Sequence, residues 1–310
     1  MRQATLHQLK VFETVARHLS FSRAADELHL TQPAVSIQVK QLESYAGLPL
    51  FEQLGKRVFL TAAGQELLQH CRAIIGQFRA AQEAMAELSG VVGGTLHVAV
   101  ISAGDYFFPQ LLAEFKRRHP AVGLNLVVRN REEVVQLLDQ NLTDLAIMVR
   151  PPEQNNTTHV SFAPAPYLVV AAPGHPLARK RRIPASALAD FPFVARERAS
   201  DTWKAMEAAF GRRLASFTVL MEISSNETIK QAVMAGLGIG FLSAHAVDLE
   251  LRVKTLVALD LQGFPFLRSW HIVHRNGKRL PPVAVAFKEF LVEEGATLIK
   301  RRTGTSGARG

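Results

Sequence analysis

Only one cysteine, Cys71, occurs in 310 residues, which excludes an internal disulfide and leaves too few thiols for a cysteine zinc site. No apolar run approaches the roughly 18 residues of a membrane span. Met1-Arg2-Gln3 leads into a polar, patterned segment with no signal-peptide core, so a soluble, cytoplasmic protein without membrane association is expected. Paired carboxylates, a His/Asp/Ser grouping and metal-ligand spacing are also missing from the local motifs, so no catalytic residue, metal ligand or cofactor is assigned and an enzyme is not expected. What the chain does carry is basic charge: 36 Lys and Arg against 27 Asp and Glu give +9 and a pI near 10.0, which favours an anionic partner. A hydrophobic share of 48% with 20% charged residues is ordinary for a globular protein, and the length suits two or three domains. The surplus is uneven, with only +2 in residues 1–60 but +5 in residues 175–213 and +7 in residues 252–310.

Leu6, Leu9, Phe12, Val15, Ala16 and Leu19 recur at three- and four-residue spacing and predict a first helix with one apolar face. A short second helix follows, capped by Ser20 or Ser22, with a small inner face (Phe21, Ala24, Ala25, Leu28) that lets another helix cross closely. Thr31-Gln32-Pro33 opens a third: Thr31 is a good N-cap, and Pro33 falls in the first turn, where a missing N–H leaves no helical bond unmade. Val35, Val39 and Leu42 point inward. Gln32, Pro33, Ser36, Ile37, Lys40 and Gln41 are left on the free face, as on the recognition helix of a helix-turn-helix. A plain three-helix packing unit would show the same periodicity. The stretch Leu50 to Leu60 then reads as two short strands around a basic turn, the form of a wing in which Lys56 and Arg57 meet phosphate or the minor groove.

These residues resemble the LysR-type transcriptional regulators. The matching stretches are Leu6 to Phe12 (LHQLKVF), Ser20 to Leu28 (SFSRAADEL), Thr31 to Ser36 (TQPAVS), Gln41-Leu42-Glu43, Leu50-Phe51 and Leu60 to Gly64 (LTAAG). Many members carry arginine where this chain has Gln53, which puts one phosphate contact in question.

Beyond Thr61, apolar residues fall at Leu67, Cys71, Ile74, Phe78, Ala81, Met85 and Leu88, in alternating steps of four and three. Three heptads of this kind form a coiled-coil seam and point to dimerisation, although a helix buried against its own domain is the plainer alternative. The resemblance implies a dimeric linker helix here. Cys71 lies on the seam as a small core residue. His70 faces elsewhere, so the two do not form a nucleophile pair.

Ser89-Gly90 and Gly93-Gly94 read as a hinge. Strand and helix patterns then alternate: Thr95 to Ile101, Tyr106 to His119, Gly123 to Val128, Arg131 to Gln140, Asp144 to Val149. This implies a parallel α/β sheet, in which ligands gather at strand carboxyl ends and helix N-termini. Three strand-to-helix junctions offer such chemistry. Ser102, Ala103 and Gly104 end the first strand; Arg196, Ser200 and Thr202 lie in RERASDTW; Asn226 lies in SSNE. Helix capping is the commoner role of their hydroxyls and amides. Gly236 to Gly240 follows a helix and precedes a strand, the reverse of a dinucleotide fingerprint, and reads as a C-cap and tight turn.

The family's effector region is similar to a two-lobed periplasmic binding protein with two crossovers. The resemblance therefore implies an α/β multidomain protein: a winged helix-turn-helix over 1–60, a linker helix over 61–89 and a hinge over 90–94. Effector lobes then follow over 95–165 with 268–295 and over 166–267, and a basic, disordered tail over 296–310. It places Arg150 where a crossover borders the cleft. Arg150 and Arg196 could each bind phosphate or carboxylate in bidentate fashion.

Phe51 to Lys56 (FEQLGK), Asp144 to Met148 (DLAIM), Ser225 to Gly238 (SNETIKQAVMAGLG) and His274 to Leu280 (HRNGKRL) are similar to regulators of Calvin-cycle carbon-fixation operons. That resemblance implies an activator answering to a phosphorylated metabolite or NADPH, bound without covalent attachment. The implied partners are double-stranded DNA at a dyadic promoter site, RNA polymerase, and further copies of the chain as a homodimer or homotetramer. The alternatives are a family member serving another metabolic operon through a different small anion, and a two-lobed small-molecule-binding protein or enzyme.

Overall fold

A computed structural model describes residues 3–55, 57–88, 94–153 and 156–303. By its contacts the chain divides into two compact units, Met1–Ser89 with Gln140–Leu142, and Gly90–Asp139 with Thr143–Gly310.

The first unit begins with α1 (Leu6–His18), fixed by a capping box in which Thr5 Oγ1 accepts from the Gln8 amide and Gln8 Oε1 accepts from the Thr5 amide. Leu19 does not extend its inner face. It turns into the left-handed region at φ 46° as the C-cap and is exposed. Of the two serines, Ser20 caps α2 (Phe21–Leu28). Thr31 caps α3 (Gln32–Ala46), where Val35, Val39 and Leu42 are buried. Val35 and Val39 pack with Val11, Val15, Ala24 and Ala25, so small residues on α2 allow the close crossing. Strands β1 (Phe51–Leu54) and β2 (Arg57–Leu60) pair antiparallel as the wing.

The long helix α4 (Ala62–Leu88) divides the anticipated seam in two. Cys71 is fully buried with Leu9, Phe12, Leu42 and Leu50, and its Sγ donates to the Leu9 carbonyl at 3.1 Å. It therefore belongs to the core of its own unit and not to an outward seam, because the first turns of α4 lie against α1. Ile74, Phe78 and Met85 are exposed. Gly64 is obligatory at the start of this helix, since a Cβ there would stand 2.1 Å from the Leu50 carbonyl oxygen.

The second unit is one nine-stranded sheet with helices on its faces. Its first lobe contains β3 (Thr95–Ile101), α5 (Phe108–Arg118), β4 (Gly123–Arg129), α6 (Arg131–Asp139) and β5 (Leu145–Met148), with β3 parallel to both β4 and β5. The fifteen-residue β6 (Thr157–Ala171) carries the chain into the second lobe. There follow β7 (Phe193–Arg196), α7 (Asp201–Phe210), β8 (Val219–Ile223), α8 (Asn226–Met234), β9 (Ile239–Ser243), α9 (Ala244–Arg252) and β10 (Val257–Ala258). Strand β11 (Phe266–Arg275) returns antiparallel to β6 and then pairs with β5. The strand order β4-β3-β5-β11-β6-β9-β7-β8 thus runs unbroken through both crossovers. Between α8 and β9, Gly236 and Gly238 take φ of 83° and 155°, and a Cβ on Gly238 would meet the Pro192 carbonyl at 2.2 Å, so the glycines serve a tight turn.

The C-terminus departs from expectation. After α10 (Pro282–Phe290) and a π-helical turn, Leu291–Gly295, the chain continues as α11 (Ala296–Thr303) and is not disordered there. Composition around Lys300-Arg301-Arg302 masks an apolar anchor: Ile299 is buried in the main core, with Leu298 and Ala296 packed beside it. The rest of the anticipated tail, 304–310, and hinge residues 90–93 lie outside the described residues.

Candidate DNA-binding face and effector cleft

On α3 the six outward residues form one surface, and each has a distinct local role. Gln32 Nε2 donates to Ser36 Oγ at 2.9 Å across one helical turn. Ile37 is 54% exposed. Pro33 and Lys40 are exposed. Gln41 also has a structural task, as its Oε1 accepts from Gln8 Nε2 at 3.0 Å and braces α3 against α1. The wing is tied to the same helix by Glu43, whose Oε1 accepts from the amides of Leu50 and Phe51 at 2.8 and 3.3 Å. Arg57 is exposed at the start of β2, while Lys56 lies outside the described residues. Gln53 turns back onto the wing, donating to the Gly55 carbonyl at 3.1 Å. Helices α1 and α2 are clasped by Arg17 and His18, which both reach Glu27; the Arg17 hydrogen bonds, followed by that of His18, hold its carboxyl down at about 2.

In the second unit, the strand ends converge on one cavity lined by Ile101, Ser102, Ala103, Asn130, Arg131, Arg196, Glu197, Ser200, Asp201 and Thr202. Its free space is about 10 Å³, room for about one water. The anticipated residues divide. Ser102, Ala103, Arg196, Ser200 and Thr202 line the cavity. Gly104 lies behind it, where a Cβ would strike Val100 at 2.4 Å. Asn226 supports the wall by accepting from Arg196 Nη1 at 2.7 Å. Ser200 caps α7: its Oγ accepts from the Trp203 amide and donates to the Glu197 carbonyl.

Arg196, at the end of β7, is 4% exposed and almost fully engaged. Nη1 also donates to Ser102 Oγ at 3.4 Å, and the Nε and Nη2 edge is held by both oxygens of Glu197 at 2.8 Å each. Asp201 is buried between Arg131 and Arg150, at 3.3 and 3.5 Å. Burial pushes its carboxyl above the ordinary range against the pull of the two arginines, and burial likewise lowers Arg131. Arg150 is consequently occupied with Asp201 rather than lining the cavity. Asn130, Arg131, Glu197 and Asp201 were not anticipated. Arg131 opens α6 just beyond β4, so a fourth strand-to-helix junction would have found it by the reasoning used for the other three.

A second charged group lies nearby. The Lys230 ammonium is buried between Glu227 and Glu250, at 2.6 and 2.9 Å, and stands 4.8 Å from the Tyr106 ring centre. Tyr106 Oη donates to Glu227 at 2.9 Å, tying the segment before α5 to α8. No helix among the described residues is long and apolar enough to cross a membrane.

Comparison with known proteins matches residues 6–65 to the bacterial regulatory helix-turn-helix protein, lysR family, and residues 89–296 to the LysR substrate binding domain. A RuBisCO operon transcriptional regulator from Allochromatium vinosum is 48% identical over 294 residues, covering 95% of this chain and 97% of that protein. Among solved structures, the Synechocystis PCC6803 CcmR regulatory domain in complex with 2-PG is 37% identical at a TM-score of 0.62, covering 64% of this chain and 96% of that one. Full-length CbnR complexed with its target DNA superposes at a TM-score of 0.69 over 93% of this chain and 99% of that one, and at 21% identity it speaks for the fold alone.

Proposed function

The chain belongs to the LysR family, and from that membership we propose that it is a DNA-binding transcriptional regulator of carbon-fixation genes, switched by a small phosphorylated anion. The near end-to-end identity of 48% with a RuBisCO operon regulator carries this reading. Residues 1–60 form its DNA-binding domain and 61–89 its dimerisation helix. Residues 90–94 act as hinge; 95–165 with 268–295, and 166–267, are the effector lobes.

Gln32, Pro33, Ser36, Ile37, Lys40 and Gln41 enter the major groove, with Ile37 meeting a thymine methyl, and Lys56 and Arg57 contact phosphate. Support comes from the exposure of Ile37 and from the small, hydrogen-bonding character of its neighbours. Exposed Ile74, Phe78 and Met85 support pairing of two copies along α4. Ser102, Ala103, Gly104, Arg150, Arg196, Ser200, Thr202 and Asn226 form or support the effector site. Arginines converging on strand ends favour an anion, and the 2-PG complex of the CcmR regulatory domain points to the phosphorylated class. The effector shifts DNA affinity by a coupling of about 1–3 kcal/mol. Dimers pair into tetramers at dyadic sites, and the promoter complex engages RNA polymerase.

The test combines a gel shift on the DNA upstream of the neighbouring divergent gene with thermal shift of the full chain against ribulose bisphosphate, phosphoenolpyruvate, 2-phosphoglycolate, ATP and NADPH. A specific shift together with stabilisation by a phosphorylated compound is expected. No specific shift, with turnover of a bound metabolite, would sink the regulator reading; a shift with silence from all five compounds would sink the effector class.

A further inference from the structure

Arg196, one of two arginines lining the cavity, is not available to a ligand as it stands. Arg196 has five N–H donors. Two on Nη1 go to Asn226 and Ser102, and the Nε/Nη2 edge, the geometry that grips a carboxylate or phosphate, is filled by Glu197. The pair is adjacent in sequence, so the carboxylate is always at hand, and its side chain is 28% exposed against 3% for Arg196. One partner is therefore fixed in the wall and the other has a route to solvent. The roughly 10 Å³ of free space means that any anion larger than a water must move a side chain to enter.

We infer that Glu197 is an internal competitor for the effector's anionic group, a specificity-determining residue that an incoming phosphate displaces from Arg196. This deepens the reading of the cleft as an anion-effector site and rests on it. Exchange of one carboxylate for another restores the same bidentate pair, so a monocarboxylate gains nothing at this position. A phosphate monoester brings up to about two negative charges and three acceptor oxygens, and so outcompetes Glu197. The cleft thereby ignores the simple carboxylates that a bare arginine would collect. Asp201 does not share the task, because it is buried between Arg131 and Arg150.

The experiment is isothermal titration of the full chain, as wild type and as Glu197→Gln, with 2-phosphoglycolate and with glycolate, its unphosphorylated counterpart. Glu197→Gln is expected to bind 2-phosphoglycolate at least about tenfold more tightly and to acquire measurable binding of glycolate, which wild type lacks. A merely structural role for Glu197 would not change this selectivity. Equal or weaker 2-phosphoglycolate binding by Glu197→Gln, with wild type still binding, overturns the inference and leaves the effector reading standing. Absence of binding by both proteins, each folded by circular dichroism, overturns the effector reading and the inference with it. If Glu197→Gln does not fold, Glu197→Asp, whose shorter carboxylate withdraws from the fork, is expected to bind more tightly than wild type; no gain there overturns the inference.

Discussion

The free face of α3 and the effector cleft are both read as binding surfaces, yet they are built in opposite ways. Apart from Gln41, the outward residues of α3 contribute little to holding the unit together, and Ile37 stands out in solvent. In the cleft the groups that would meet a ligand also hold the fold: Arg196 fastens Ser102 and Asn226, and Asp201 fastens Arg131 and Arg150. One surface is free to be rewritten without cost to stability. At the other, a ligand engaging these groups would have to loosen contacts that hold the two lobes together.

That contrast breaks most readily at Arg196. Arg196→Ala leaves the buried Asn226 amide and the Glu197 carboxylate without their partner and is expected to cost about 2–3 kcal/mol. Urea unfolding followed by tryptophan fluorescence measures it cleanly, because both tryptophans, Trp203 and Trp270, lie in this unit. A cost below about 0.5 kcal/mol would mean that the cleft is as idle in folding as the free face of α3.

The converse holds at Ile37. Ile37→Ala is expected to leave the thermal midpoint almost unchanged, as surface replacements do, while weakening operator binding by about 1 kcal/mol, roughly fivefold. A fall in the midpoint with unchanged gel shifts would make Ile37 a packing residue. At the wing, Arg57→Ala is expected to reduce the salt slope of log K by about 0.9, one phosphate's share, and an unaltered slope removes Arg57 from the contacts.

The smallest effect concerns Glu27. Its carboxyl is held at about 2 in the folded chain against 4.5 ordinarily, so its clasp contributes fully above about pH 4.5 and is lost as pH falls towards 2. Glu27→Gln should flatten the acid limb of a stability profile in that window; an identical limb in both proteins would deny the clasp any role. The magnitude is modest because the group is largely solvated.

The legibility of the two surfaces in the sequence follows the same division. Thr31, Pro33 and the Val35, Val39, Leu42 repeat lie within one helix, so local spacing orients the whole recognition face. The cleft is assembled from segments near residues 102, 131, 150, 196, 201 and 226, and no spacing rule joins them. Three of its junctions could be found because serine, threonine and asparagine mark helix starts. Glu197 and Asp201 escaped because acidic residues look out of place in an anion site until their arginine partners are seen. At Cys71 the heptad pattern was genuine but its partner was ambiguous, since a helix presents the same face to its own domain and to a second copy. At Ile299 a run of basic residues outweighed an apolar anchor in the composition.

The lobes of the second unit are joined by β6 and β11, paired at ten positions, with a register shift between Trp270 and His271. A loop connection swings cheaply, but opening this joint would break a row of main-chain hydrogen bonds. Motion between the lobes that keeps these bonds must therefore twist or bend the paired strands, so the joint resists as a torsion spring does and not as a loose hinge.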